Sequence, residues 1–174
     1  MNNANAGEKL MENQYKPEFI KTSGSTLKKI STRPFGDVEV FEEQIIEFPE
    51  GIPGFGHITA FAFMQELGTP FVWMQAVDEA ALSFIVIEPE NFVSSYDLVI
   101  SQSDLECVGA SDCKDLKVLF VVTIPDNPED MTANLQGPII LNLKNRKGKQ
   151  AISLSEKYHV RHRIVDDANK NGGD

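Results

Sequence analysis

Leu116-Lys-Val-Leu-Phe-Val-Val-Thr-Ile124 is the stretch on which the fold turns. Its β-branched and aromatic residues fall on both sides of a two-residue alternation, so both faces of the strand they form must be covered. A strand of that kind is central. Shorter stretches of the same chemistry surround it. Gly36-Asp-Val-Glu-Val-Phe41 alternates polar and apolar, as a half-buried strand does, and Ile45-Ile-Glu-Phe48 is stopped by Pro49. Ala60–Met64, Phe71–Val77, Leu82–Ile87 and Tyr96–Ile100 read as further strands. Ile139–Leu143 and Gln150–Ser153 flank Asn145-Arg-Lys-Gly-Lys149, a hairpin signal in which Gly148 is expected to take the positive φ. Ser101-Gln-Ser-Asp-Leu105 opens a short helix, with a serine to cap it and Asp104 in its first turn. No long amphipathic helix interrupts the series, which disfavours βαβ units. The predicted fold is mainly β: a small antiparallel β-barrel-like single domain with one or two short helices.

The domain is predicted to span residues 32–164. Residues 1–31 read as a flexible, basic-leaning arm, with five lysines (Lys9, Lys16, Lys21, Lys28 and Lys29) against three glutamates and few apolar residues. Removing it is expected to leave thermal stability nearly unchanged. Residues 165–174 read as a disordered tail.

Charge narrows the partners. Between Arg33 and Lys114 there are eighty residues without lysine or arginine, carrying fifteen Asp or Glu, within a chain of net charge −10. Carboxylates with no basic neighbour project a negative field, which repels nucleic acid and anionic membrane and steers basic proteins into contact. The plain alternative is an acidic surface that only keeps the protein soluble. No run of about eighteen apolar residues offers a membrane span, and no apolar signal core follows Met1. The expected compartment is the cytoplasm, with Cys107 and Cys113 as free thiols.

Catalytic motifs are thin. No phosphate-cradling GxxxxGK[ST], no GxGxxG after a strand and no nucleophile motif is present. His57 sits in a Gly/Pro loop. His159 and His162 are three apart and could share a helical face for a metal, but no nearby carboxylate completes the set; an enzyme using that pair is the outlying alternative. Asp126-Asn-Pro-Glu-Asp130 lacks the pattern of a calcium loop and fits a turn. No cofactor or metal is expected.

Two segments carry more information. Phe48-Pro-Glu-Gly-Ile-Pro-Gly-Phe55 frames a rigid loop directly after a strand, with prolines restricting it and glycines permitting positive φ. Asp130–Asn142 runs through an Asn/Gln-rich connection into Gly137-Pro138 and an apolar strand, where Asn134 and Gln136 are expected to bond loop backbone groups.

In order along the chain, Gly36–Val40, Ile46–Phe55, Leu82–Pro89, Val121–Pro125, Met131–Asn142 and Tyr158-His-Val-Arg-His-Arg163 resemble the motifs of the flagellar assembly factor FliW family. The resemblance runs from about Thr32 to Arg163. It implies a small, non-enzymatic, cytoplasmic β-barrel protein. Members of that family bind the translational repressor CsrA, a basic RNA-binding dimer, and stop it from silencing flagellin mRNA. They also bind flagellin, which competes for them. On this reading the chain is monomeric when free and touches neither nucleic acid nor membrane. A dedicated flagellin chaperone without CsrA regulation is the alternative. The expected partner-facing residues are Glu47, Glu50, Ile52 and Phe55, with Asp78 and Glu79 as auxiliary acids. Gly51, Pro53, Gly54, Gly137 and Pro138 are expected to shape the backbone, and Phe55 could equally be core.

Overall fold

In the computed structural model, residues 17–24 and 26–164 are described; the tail at 165–174 and the first sixteen residues of the arm lie outside them. Eleven strands are formed among the described residues. They are β1 (Leu27–Thr32), β2 (Gly36–Phe41), β3 (Ile45–Glu47), β4 (Ala60–Gln65), β5 (Phe71–Ala76) and β6 (Ser83–Ile87), followed by β7 (Lys117–Thr123), β8 (Thr132–Ala133), β9 (Ile139–Asn142), β10 (Lys147–Gln150) and β11 (His162–Arg163). Among the described residues an α-helix, α1 (Gln102–Cys107), joins several single 3-10 turns. No helix of the described residues is long and apolar enough to cross a membrane.

Strands β7, β6, β5, β4, β3, β10 and β9 pair in that order, and β9 pairs back onto β7, closing a seven-stranded barrel. The fold is mainly β and barrel-like, as expected, with one departure from a wholly antiparallel sheet. β10 runs parallel to β3, with Lys147 opposite Glu47. The connection from β3 reaches β10 only after passing round the barrel, so the last neighbour arrives in the same direction.

The central stretch behaves as its composition requires. Leu119 and Val121 face the barrel interior, while Val118, Phe120 and Val122 face a second cluster outside it with Phe92, Leu135 and Ile164. β4 is covered in the same way. Phe61 and Phe63 point inward, and Ala62 and Met64 lie under the β1–β2 hairpin with Ile30, Val38 and Val40. Burying both faces of these strands explains why they lack the alternation of a half-exposed sheet.

Several local readings change. Tyr96–Ile100 is not a strand; Val99 offers its carbonyl to the Leu154 N–H at 2.8 Å, and no ladder continues. In the β9–β10 hairpin the positive φ belongs to Arg146 (φ 55), not to Gly148. Gly148 lies within β10 opposite Leu141, where a Cβ would come 2.6 Å from the Phe48 ring, so the glycine makes room for an aromatic plug. The strand accordingly begins earlier than Gln150–Ser153. The arm also ends earlier than residue 31. Leu27–Thr32 is a six-residue ladder with β2, and upstream of it Ile20 is buried in the barrel interior cluster. Hydrophobic side chains too sparse to show a period can still each find a place.

Register defines two poles. Glu47 lies opposite Ala60, Phe61 opposite Ala76, and Gln150 opposite Ile139. The ends of β3 and β5 and the starts of β4 and β6 therefore meet at one end, the loop pole, and β10, which begins beside the end of β3, runs on past it to the start of β9. At the other end are the β4–β5 and β9–β10 turns and the arm.

Candidate functional site

The Phe48–Phe55 loop sits at the loop pole and is fixed by its own backbone. Phe48 N–H donates to Thr59 O at 2.8 Å, Gly51 N–H to Phe48 O at 2.9 Å, and Phe55 N–H to Ile52 O at 2.7 Å. Gly51 has φ 66, and a Cβ there would lie 2.6 Å from Gly56 Cα, so only glycine lets the two limbs cross. Phe48 fills the barrel end, with its ring 5.1 Å edge-on from Phe61.

This geometry sorts the expected contact residues. Glu47 and Glu50 are exposed, as are Asp78 and Glu79 on the β5–β6 turn at the same pole. Phe55 is 36% exposed, with its edge on Phe84 at 5.7 Å, so it is partly on display. Ile52 is 4% exposed and belongs to the interior cluster; it braces the loop from within, because the turn that presents Phe55 directs its neighbour inward. Gln75, which the sequence reading passed over, organises the acidic turn. Fully buried, its amide lies 3.0–3.3 Å from the carbonyls of Ala76, Glu79, Ala80 and Leu82. The available signal was a lone amide in an otherwise apolar strand.

Beside the loop opens a groove of about 940 Å³. One wall is Glu50 and Pro53, another the start of α1, and a third the Asn134–Gly137 connection. The floor carries Ile152, Leu154 and Val160, which are 68%, 60% and 54% exposed. Past β10 the chain stays extended, with Ala151 and Ser153 buried and bonded to Pro138 O and Gln136 O. Strand alternation then turns Ile152 and Leu154 outward together. Neighbouring large aliphatics left in water mark an interaction surface. Asn134 Oδ1 accepts from Gly137 N–H at 2.9 Å as expected, but the second side-chain bond to this connection comes from Gln150 Nε2 to Gly137 O, not from Gln136.

At the groove edge Lys149 joins two walls. Its ammonium lies 2.5 Å from Glu50 Oε2 and 3.2 Å from Asp104 Oδ1. Burial opposes the charged ammonium, yet its hydrogen bonds to Glu50 and Asp104 prevail and hold its pKa above the ordinary lysine value. Ser101 caps α1 by accepting the Asp104 N–H at 3.1 Å, which sets Asp104 in place. Burial, followed by the negative charge of Glu50, pushes the nearby Cys107 thiol up, so it is a poor nucleophile. Cys113 is likewise raised by burial and by Asp112, and both thiols are free.

The far wall rests on tyrosines. Tyr158 lies 4.3 Å from Tyr96, whose hydroxyl donates to Leu135 O at 2.7 Å. Burial drives the Tyr96 pKa up to about 12. Among the described residues no three His, Cys, Asp or Glu side chains group as metal ligands would. His162 lies in β11 rather than on a helix, so the shared helical face supposed for His159 and His162 does not exist. Asp126–Asp130 is a turn, with a 3-10 turn at Pro128–Asp130 capped by Asn127.

The acidic window is less bare than its sequence suggests. Among the described residues, cations from outside it reach five of its fifteen carboxylates: Asp37, Glu50, Glu88, Asp97 and Asp104. Glu47, Asp78 and Glu79 have no ion-pair partner among the described residues.

Comparison with known proteins places this architecture. The family model described as FliW protein matches residues 29–164. The flagellar assembly factor FliW of Leptospira biflexa is 46% identical over 139 residues, covering 79% of this chain and 91% of that protein. That of Alkaliphilus metalliredigens is 41% identical over 143 residues, covering 81% and 88% respectively. A crystal structure of the flagellar assembly factor FliW superposes with a TM-score of 0.72 at 37% identity, covering 79% of this chain and 96% of that one. With most of the chain matched by the family model and by relatives this similar, the chain belongs to the FliW family of flagellar assembly factors.

Proposed function

We propose that this protein works by binding alone, as a non-enzymatic regulator of flagellum assembly in the cytoplasm. It captures the translational repressor CsrA, relieving repression of flagellin translation, and it holds flagellin as the competing partner. The observation that carries this reading is the groove at the loop pole. An apolar strip of Ile152, Leu154 and Val160 lies against Glu50 and Pro53 of the Phe48–Phe55 loop. An apolar strip suits one face of an amphipathic helix, such as a flagellin terminus offers. Free carboxylates at Glu47, Asp78 and Glu79 suit a basic partner such as CsrA, chiefly by speeding encounter.

Calorimetric titration of the protein, a monomer in this reading, with CsrA of the same organism tests it, at low and moderate salt. Saturable binding that weakens with salt is expected, with flagellin displacing CsrA. Binding of flagellin without any binding of CsrA would replace regulation with a dedicated chaperone role.

A further inference from the structure

The pole opposite the groove is closed by residues that lie upstream of the family match at 29–164. Ile20 is 3% exposed within the barrel interior cluster. Phe19 meets Phe63 edge-on at 6.4 Å, and the Lys117 ammonium stands 5.3 Å from the Phe19 ring centre. The attachment is otherwise slight. Ile20 N–H closes a turn on Pro17 O at 3.1 Å, Glu18 N–H donates to Gln65 Oε1 at 3.2 Å, and the Ser23 hydroxyl donates to Glu43 at 2.5 Å. Glu18, Lys21, Ser23 and Gly24 are exposed. A space of about 470 Å³ remains beside the plug, bounded by Glu43, Leu143 and Arg146. The segment contributes no strand to the barrel, whose ring of pairings closes without it.

We propose that the site filled by Phe19 and Ile20 is a peptide-binding site in its own right, kept occupied by the chain's own arm, and that it accepts the same segment from a second copy. Phe19 and Ile20, with the buried Pro17, supply the apolar hold, and side-chain anchors without a strand ladder release as a local unit. An occupant tethered in cis competes at an effective concentration near millimolar, so exchange between copies is suppressed until the arm is weakened. The recognition chemistry is an aromatic residue followed by an aliphatic one. The first ring is read by an aromatic edge and an ammonium, and the second side chain by an apolar interior.

The test titrates a labelled peptide of residues 15–27 into the full chain and into the full chain carrying Phe19→Ala and Ile20→Ala. The variant is expected to bind it saturably, and the unaltered chain at least about tenfold more weakly because its own arm competes. A peptide with the same two changes should bind neither. No binding to a folded variant, or equal binding to both chains, overturns the proposal. If the variant loses its near-ultraviolet dichroism, hydrogen exchange on the unaltered chain decides. Exchange of the Glu18–Gly24 amides well before those of β4 supports a releasable plug, and exchange in step with β4 overturns it.

Discussion

At Gln75 one buried amide reinforces a turn that the backbone already holds. Carbonyls of Ala76, Glu79, Ala80 and Leu82 converge on it, and three of them also accept backbone N–H groups: Glu79 O from Leu82, Ala80 O from Arg33 and Leu82 O from Ala76. Gln75→Ala removes these added bonds and leaves a gap where a fully buried side chain stood, so urea unfolding should show a loss of about 1–3 kcal/mol. A loss within error would mean that the backbone bonds hold the turn unaided. Gly51 is constrained differently. Its positive φ and the 2.6 Å approach to Gly56 Cα act together, because the neighbour is backbone and cannot swing aside. Gly51→Ala should therefore cost at least about 2 kcal/mol in the same experiment. It should also shift the Phe55 ring from Phe84, visible as a change in aromatic NMR shifts. A variant as stable as the parent would show that the crossing is softer than this geometry.

At the scale of elements, the extended segment after β10 carries the groove floor. Ile152 and Leu154 are mostly in water already, so charging them removes little packing. A double variant, Ile152→Asp with Leu154→Asp, should melt within about 2 °C of the parent. It should also lose flagellin in a pull-down with purified components. Retained capture would move the helix site elsewhere. Strands of this kind were legible where the chain alternates or is apolar throughout: β2, β4, β5 and β7 fall where the pattern puts them. The Tyr96–Ile100 segment carries the same β-branched and aromatic residues, but it is held by side-chain bonds, from the Tyr96 hydroxyl to Leu135 O and from Asp97 N–H to the Tyr158 hydroxyl, so it packs without a ladder. Gly148 misled because a glycine flanked by lysines reads as a turn. Its reason is a Phe48 ring a hundred residues away, which no local pattern records. The groove was half legible: Glu50 and the Phe48–Phe55 loop were singled out. Ile152 and Leu154 were not, since exposure depends on what fails to cover a residue.

For the whole molecule, steering depends on how much of the negative field survives folding. Ten of the fifteen carboxylates between Arg33 and Lys114 keep no ion-pair partner among the described residues, because cations from the rest of the chain reach only five. Glu50 is among the five, so charge reversal there would set a lysine against Lys149 and confuse steering with local repulsion. Glu47, Asp78 and Glu79 have no ion-pair partner among the described residues, although Glu47 stands opposite Lys147 across the β3–β10 pair, so reversing Asp78 and Glu79 alone separates its share of the effect. Exposed charges act over about 10 Å at 0.1 M salt and about 3 Å at 1 M, so their work is done mainly during approach. Replacing all three with lysine should slow association with CsrA by about tenfold or more at low salt, and leave dissociation within about a factor of three. Stopped-flow mixing at several salt concentrations separates the two. The unaltered protein should converge on the variant's association rate as salt rises, because screening and charge reversal remove the same attraction. Association that ignores both salt and the three substitutions would place the carboxylates in the solubilising role that an acidic surface can also fill. Recognition would then rest on the apolar groove alone.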